Sequence, residues 1–258
     1  MVDMASLIAR VTRPNPGGTP AGDGGFRNDL DRIQNNDGVS VRENERVQVE
    51  AGPNGQGKFD APLLSIFKNS TFTGIKDAPN FINVNGTGNT LTGGNIGSSD
   101  PDSPIHNTLL VSGSDNKLVA GDAGSLLQTR KFTAQDGNFT IMATGNELLG
   151  GKGDDVIVPS AGDKVVSGGA GDDKVELTGL QGFTGSPAEI AAKIGKFATF
   201  EGGEGDDTLV LPGNSASSPV TPAIKEQFVK ELKANGVWDD FESIKWEGSH
   251  LDPEIKLK

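Results

Sequence analysis

The sequence predicts an all-β fold, a right-handed parallel β-roll or β-helix solenoid with short helical inserts and a C-terminal capping segment. Hydrophobic residues make up 34% of the 258 positions and aromatic residues 5%. That is little for a globular core but enough for a solenoid, in which each turn needs few inward residues. Aliphatic residues also recur every nine positions through much of residues 80–210, and three nonapeptides rich in glycine and aspartate lie between residues 150 and 210.

The composition argues against several classes of protein. The net charge of −12 disfavours nucleic acid and anionic membranes as partners. Because the chain has no cysteine, it can form neither disulfides nor thiolate metal sites. No apolar run reaches the roughly 18 residues of a transmembrane helix, so we expect no membrane span. The first residues lack the long apolar segment of a secretory signal peptide.

The predicted organisation has four parts. Residues 1–25, rich in Pro, Gly and Thr, are expected to be disordered. Residues 26–79 are expected to lead in and cap the N-terminal end, residues 80–211 to form the roll, and residues 212–258 to add a helix and a capping strand.

The lead-in contains three weaker signals. Residues 26–33 fit a short helix, and residues 34–41 (QNNDGVSV) resemble an EF-hand loop. The first and last ligand positions of such a loop would be Ile33 and Asn44, which fail the pattern, so we interpret the segment as a turn. Residues 39–41 and 47–49 alternate apolar and polar side chains and predict a hairpin.

A nine-residue period predicts the core of the solenoid. The inward aliphatic positions are Ile82, Leu91, Leu109, Leu118, Leu127, Leu148, Ile157, Val166, Val175 and Leu209. With two nonapeptides per coil, alternate positions should lie on the same sheet.

The phase of this period assigns each position to one of two sheets. Leu91, Leu109 and Leu127 should stack on one sheet, and Ile82 and Leu118 on the other. Ile157 and Val175 should face Leu148 and Val166.

Asparagine precedes many of the upstream aliphatic positions by two residues, as at Asn80, Asn89, Asn107 and Asn116. Stacked asparagines can form hydrogen-bonded ladders. We therefore expect the upstream coils to fold without metal.

Two helical inserts carry clear signals at their ends. Ser186-Pro187 with Glu189 forms a capping box, and Gly195 ends that helix. Thr221-Pro222 begins a second helix that ends at Asn235-Gly236 and should pack its apolar stripe on the end of the roll. In the tail, Phe241, Ile244 and Trp246 alternate as an edge strand would.

The glycine-aspartate nonapeptides point to a hard cation. Residues 150–158 (GGKGDDVIV), 168–176 (GGAGDDKVE) and 202–210 (GGEGDDTLV) share the pattern G-G-x-G-x-D-x-U-x, where U is aliphatic. The glycines allow a tight turn that brings main-chain carbonyls together, and the aspartate adds a carboxylate. Oxygen ligands without His or Cys suit Ca²⁺. An array of turns that binds no metal is the alternative.

These nonapeptides resemble the calcium-binding repeats of the repeats-in-toxin (hemolysin-type) family. The resemblance implies a parallel β-roll with Ca²⁺ held between turns of neighbouring coils. It implies one ion between residues 150–155 and 168–173, and a second between residues 168–173 and 202–207 if the insertion at residues 177–201 loops out. The implied metal ligands are Gly151, Gly153, Asp155, Gly169, Gly171, Asp173, Gly203, Gly205 and Asp207, with Asp154, Asp172 and Asp206 adding charge nearby.

On the opposite edge, Lys164 stands where the pattern has aspartate. Because an ammonium group opposes cation binding, we expect no calcium on that edge.

The resemblance also implies a place and a role for the protein. It implies a secreted bacterial protein, structural, effector or toxin-related, that folds on extracellular calcium and has a host or cell-surface target. Type I export is favoured, and the polar N-terminus also suits type III export.

Enzyme chemistry finds little support in the sequence. The only histidines are His106 and His250, each beside acidic residues in a loop. A carbohydrate-active β-helix of the pectate-lyase type remains the alternative function, and an assay on polyuronides would separate the two hypotheses. The Asp-Pro bonds at residues 100–101 and 252–253 are labile and are interpreted as loop dipeptides.

Overall fold

The protein is mostly β structure, and most of its strands lie in two sheets whose pairings are almost all parallel. A computed structural model describes residues 40–52, 55–61, 65–95, 106–133, 140–213, 221–247 and 255–256. The expectations for residues 1–25, the helix at 26–33 and the Asp-Pro bonds lie outside the described residues. No helix within these ranges is long and apolar enough to cross a membrane.

Sheet I has eleven strands. In spatial order they are β1 (Ser40–Glu43), β4 (Ser65–Lys68), β6 (Asn80–Thr87), β8 (Asn107–Ser112), β10 (Ser125–Arg130), β14 (Val156–Val158), β16 (Lys174–Glu176), β18 (Thr208–Leu211), β19 (Ser243–Trp246) and β20 (Ile255–Lys256), with β3 (Gly57–Asp60) beside β6.

Sheet II has seven strands. They are β2 (Arg46–Gln48), β5 (Thr71–Thr73), β7 (Thr90–Thr92), β9 (Lys117–Gly121), β13 (Glu147–Gly151), β15 (Val165–Ala170) and β17 (Thr199–Glu204). A small antiparallel pair, β11 (Phe132–Thr133) and β12 (Thr140–Ile141), lies outside both sheets. From β6 to β18 the strands of the two sheets alternate along the chain, so the chain passes from one sheet to the other and back.

The core is a double stack of aliphatic side chains. In sheet I, Ile82 pairs with Leu109 and Leu109 with Leu127, and the stack continues from strand to strand. All ten positions predicted to point inward are buried, with at most 1% exposure. Each buried Leu, Ile or Val contributes about 1.5–3 kcal/mol, so the thin core stabilises the coils one after another. The nine-residue period is confirmed.

The assignment of these residues to sheets was wrong upstream. Leu91 stacks on Leu118 in sheet II, whereas Leu109 and Leu127 stack on Ile82 in sheet I. The eighteen residues from Leu91 to Leu109 span one passage between sheets rather than two, because the connection carries an insertion. Downstream, the prediction that Ile157 and Val175 face Leu148 and Val166 is confirmed.

The predicted hairpin at residues 39–41 and 47–49 is also wrong. Strand β1 pairs in parallel with β4, and β2 in parallel with β5. Both sheets therefore begin at residues 40–48, upstream of the expected start at residue 80. Phe59, Phe67 and Phe72 fill this end of the core, with ring centroids 4.8–5.8 Å apart.

The helices form where the sequence predicts them. Helix α1 (Pro187–Ile194) has the capping box of Ser186 and Glu189 and ends at Gly195. Helix α2 (Pro222–Ala234) begins after Thr221 and buries Phe228 and Leu232. Two short 3-10 helices lie at Gly179–Gln181 and Val237–Asp240. The tail strand β19 continues sheet I beside β18, and β20 covers its outer edge.

Candidate metal centre

Three glycine-aspartate loops stack on one edge of the two sheets. Residues 150–155, 168–173 and 202–207, here called the three Gly-Asp loops, each lead from a strand of sheet II to a strand of sheet I. Gly151 pairs with Gly169, and Gly169 with Gly203. The insertion before the third loop leaves this stacking intact, since helix α1 lies outside the sheets. The sequence-predicted site residues are thus brought together.

The second aspartate of each loop is buried in a single row. Asp155, Asp173 and Asp207 are 0%, 1% and 0% exposed. Asp173 Oδ1 accepts the N–H of Asp155 at 2.7 Å, and Asp207 Oδ1 accepts the N–H of Asp173 at 2.8 Å. The carboxylates of Asp173 and Asp207 therefore each reach back to the preceding loop. We call Asp155, Asp173 and Asp207 the aspartate row.

The row continues an asparagine ladder from the upstream coils. On the same edge, Asn107 Oδ1 accepts the N–H of Asn80 at 3.0 Å, as each aspartate does for its neighbour. On the opposite edge, Asn89 Nδ2 donates to Asn116 Oδ1, and Asn116 Nδ2 to Asn146 Oδ1, both at 3.0 Å. Asparagine satisfies such a position without charge, whereas aspartate places a carboxylate there.

Burial makes the ionised form of the row costly. Burial raises the pKa of Asp155 from its ordinary 3.8 to about 7, although the hydrogen bond from the Gly151 backbone opposes the shift. Burial also raises the pKa of Asp173 to about 8, and the charges of Asp155 and Asp207 add to that rise. Desolvation and mutual repulsion both disfavour the charged carboxylates. A bound cation would remove both penalties.

In the middle of the row, Asp173 Oδ2 is buried without a hydrogen-bond partner. A buried charged oxygen that accepts no hydrogen bond is costly in a folded protein. Asp173 Oδ2 lies beside the carbonyl oxygen of Gly202, since a Cβ on Gly168 would collide with both atoms. These oxygens are suited to bind an ion between adjacent loops.

The glycines let main-chain carbonyls approach the neighbouring loop. A Cβ added to Gly169 would collide with the carbonyl oxygen of Gly151, and one added to Gly203 with that of Gly169. A Cβ on Gly205 would collide with the carbonyl oxygen of Gly171. Carbonyl oxygens are ordinary ligands of Ca²⁺, and these glycines place them between the loops.

Replacement of Gly203 by alanine should therefore disrupt the last two loops. Gly203 has φ = +124°, a conformation that L-residues rarely adopt, and its Cβ would meet the backbone of Gly169. We expect Gly203→Ala to lower stability by about 2 kcal/mol or more, measured by chemical denaturation. Gly195→Ala is the matched control, because Gly195 has φ = −63°. Equal effects of the two substitutions would contradict this account of the loop.

The first aspartates of the loops form a separate outer row. Asp154 Oδ1 accepts the N–H of Asp172 at 2.9 Å, and Asp172 Oδ1 accepts the N–H of Asp206 at 3.0 Å. Asp172 and Asp206 are exposed and Asp154 is half-buried. These carboxylates add negative charge along the outside of the loops.

On the opposite edge, Asp163 and not Lys164 takes the ladder position. The N–H groups of Lys164 and Val165 both donate to Asn146 O, so the strand bulges by one residue and Lys164 is exposed. Asp163 is 4% exposed and accepts Asn146 Nδ2 at 2.6 Å and the N–H of Ser160 at 2.7 Å. Burial raises its pKa. Asp163 thus ends the asparagine ladder of that edge.

Sequence reasoning also missed a carboxylate that adjoins the aspartate row. Glu242 Oε2 accepts the N–H of Asp207 at 2.8 Å. It belongs to no nonapeptide, and no periodic signal marks it. Its place two residues before the buried Ile244 is the same as that of Asp207 before Leu209, which is the one clue that the sequence contains.

The donor set is of the kind that hard cations such as Ca²⁺ bind. It combines buried carboxylate oxygens with main-chain carbonyls and contains no nitrogen or sulfur ligand, as hard cations require. Among the described residues, no group of three or more His, Cys, Asp or Glu side chains is arranged to hold a metal ion. A site made of two carboxylates and several carbonyls is not of that type.

Comparison with known proteins finds no relative of this chain. No family model, curated protein or solved structure matches this chain.

Proposed function

We propose that the chain is a calcium-binding protein of the repeats-in-toxin type, a right-handed parallel β-roll whose downstream half is stabilised by Ca²⁺. The observation that carries the proposal is the aspartate row, in which carboxylates are buried side by side and Asp173 Oδ2 accepts no hydrogen bond. Asparagine takes the same place in the upstream coils and satisfies it without charge. An aspartate row is stable in its ionised form only if a cation neutralises it.

One ion would lie between the first and second Gly-Asp loops and another between the second and third. Asp155 and Asp173 would supply carboxylates to the first, and Asp173 and Asp207 to the second. Carbonyls of Gly151, Gly153, Gly169, Gly171, Gly203 and Gly205 are the candidate main-chain ligands. The ion would neutralise the row and tie adjacent coils together.

The proposal includes a place of action. Extracellular calcium modules bind with dissociation constants of about 10⁻⁴–10⁻³ M, so millimolar calcium fills them and cytosolic calcium does not. We propose that the protein acts outside the cell as a structural or effector component. Its upstream coils would be folded in both surroundings, and its downstream coils would become ordered on export.

Thermal unfolding with and without calcium tests this function. We expect the wild type to melt at a higher temperature in millimolar calcium than in chelator. At a free concentration about 100 times the dissociation constant, one site adds about 2.7 kcal/mol. Asp173→Ala removes the carboxylate common to both sites and should lose the calcium response.

Asn116→Ala is the control, because it damages the ladder on the opposite edge. It should lower the melting temperature equally in calcium and in chelator. A wild type that melts identically in both conditions would rule out the proposed function.

A further inference from the structure

The row of buried carboxylates extends beyond the Gly-Asp loops into the C-terminal segment. Strand β19 pairs in parallel with β18, with Thr208 opposite Ser243 and Leu209 opposite Ile244. Glu242 therefore precedes β19 as Asp207 precedes β18. Its Oε2 accepts the N–H of Asp207 at 2.8 Å, which repeats the contact of Asp207 Oδ1 with the N–H of Asp173.

We propose that Glu242 is a positioning residue of the cation site between the second and third Gly-Asp loops, and that it links this site to the docking of residues 241–246. The inference rests on the proposed function. It adds a residue from outside the repeats, and it makes the C-terminal segment part of the calcium response.

The contacts form a continuous path from Glu242 to the site. Glu242 holds the Asp207 backbone, while the Asp207 carboxylate holds the N–H of Asp173. Asp173 Oδ2, which is buried and accepts no hydrogen bond, lies between the second and third loops beside the carbonyl of Gly202. Removal of the Glu242 carboxylate would release the backbone of the residue whose side chain lines that site.

The neighbours of Glu242 also hold the C-terminal segment to the roll, through the pairing of β19 with β18 and through buried side chains. Phe241 is fully buried, with its ring centroid 5.6 Å from that of Phe200. Ser243 Oγ and Thr208 Oγ1 lie 2.8 Å apart, and the N–H of Ser243 donates to Asp207 O at 3.0 Å. Asp207 thus contacts the segment through its backbone and the preceding loop through its side chain.

The charges near Glu242 determine whether cation binding favours or opposes docking of residues 241–246. Without a cation, the Glu242 carboxylate adds a further negative group next to a row that already repels itself. A cation in the last site would remove that repulsion and favour the docked segment. Because cation binding and docking are linked equilibria, any change that stabilises the docked segment must also increase the affinity for the cation.

Calcium titration of Glu242→Ala, with Glu247→Ala as the matched control, tests the inference. Glu247 lies directly after this segment and is exposed, so its removal changes the net charge equally. We expect Glu242→Ala to weaken the binding of one ion about tenfold or more, as loss of a residue that orients a metal ligand commonly does. Glu247→Ala should bind as the wild type does.

A conservative variant and hydrogen exchange separate positioning from a purely structural role. The amide oxygen of Glu242→Gln can accept the Asp207 N–H, so this variant should recover most of the lost affinity. In the wild type, calcium should increase the exchange protection of the Ser243–Trp246 amides, and this increase should shrink in Glu242→Ala. Unchanged affinity in Glu242→Ala, or protection of these amides that calcium does not alter, would overturn the inference. A wild type that binds no calcium would instead overturn the proposed function itself.

Discussion

Asp173→Asn is expected to melt at a higher temperature than the wild type in chelator and to gain nothing from calcium. Asp173 is 1% exposed, and burial raises its pKa to about 8, so its ionised form is costly without a cation. An asparagine keeps the oxygen that accepts the N–H of Asp155 and removes the charge. Its new N–H₂ group takes the place of the oxygen that accepts no hydrogen bond.

The upstream ladder supplies the precedent for this replacement. Asn80 Nδ2 donates to the carbonyl of Ala78 at 2.7 Å, and Asn116 Nδ2 donates to that of Gly86 at 3.1 Å. In the Asp173→Asn protein, the new side-chain amide nitrogen takes the place of Asp173 Oδ2, beside the carbonyl oxygen of Gly202, to which it can donate. A gain of about 2 kcal/mol corresponds to roughly 4–8 °C in a chain of this size.

The matched control is Asp172→Asn, which removes the same charge from the outer row. Asp172 is exposed, so its substitution should change stability by less than about 1 kcal/mol and preserve the calcium response. Differential scanning calorimetry of the three proteins in chelator and in calcium measures all of these effects. A destabilised Asp173→Asn protein in chelator would contradict the account of the buried charge.

In chelator, the wild type is expected to lose stability as the pH rises from about 5 to about 8.5. The pKa of Asp155 is about 7 and that of Asp173 about 8 in the folded protein, against 3.8 when they are unperturbed. Between these values the folded state binds more protons than the unfolded state, so stability falls as the pH increases. The stability of the folded protein is therefore greatest near pH 3.8, and the contribution of the two protonated aspartates is lost as the pH passes through about 7 and about 8.

The size of this effect should be large. Each unit of pKa difference corresponds to about 1.4 kcal/mol, so the loss is on the order of several kcal/mol and should lower the melting temperature by about 5 °C or more. Melting curves at pH 5.5, 7 and 8.5 measure it. Saturating calcium should remove the loss, since a bound cation stabilises the ionised carboxylates, and Asp173→Asn should reduce it. A melting temperature that rises with pH in chelator would show that the row is not penalised by ionisation.

The sequence predicts the core because the inward residues repeat strictly. From Leu148 to Val175 each step is nine residues, and the coils in this range follow it without interruption. The end signals of the helices are equally local, since Ser186 and Glu189 make their capping contacts within one turn. Features fixed by a short stretch of chain could be predicted.

The wrong predictions fall where an insertion or a bulge changes the number of residues between inward positions, or where no repeat marks a strand. The connection from Leu91 to Leu109 is longer by one nonapeptide, so the period continues in phase while the sheet assignment inverts. Strands β1 and β2 are short and polar, with no aliphatic repeat to mark them. Such features depend on pairing with distant strands, which the local pattern does not encode.

The site was predictable in its loops and not at its ends. Asp155, Asp173 and Asp207 belong to near-identical nonapeptides, so their spacing alone places them on one edge. Glu242 joins them after a long helical insertion, and Asp163 reaches its ladder through a bulge at Lys164. Only tertiary packing brings these two carboxylates into their rows.

Calorimetric titration of the metal-free wild type with Ca²⁺ near neutral pH shows whether the aspartate row binds calcium. We expect at least two bound ions, proton release from Asp155 and Asp173 on binding, and no binding at these sites in Asp173→Asn. Heat changes in buffers of different ionisation enthalpy measure the released protons. A wild type that binds no calcium, or that binds it equally in Asp173→Asn, would contradict the claim that the aspartate row is a calcium site.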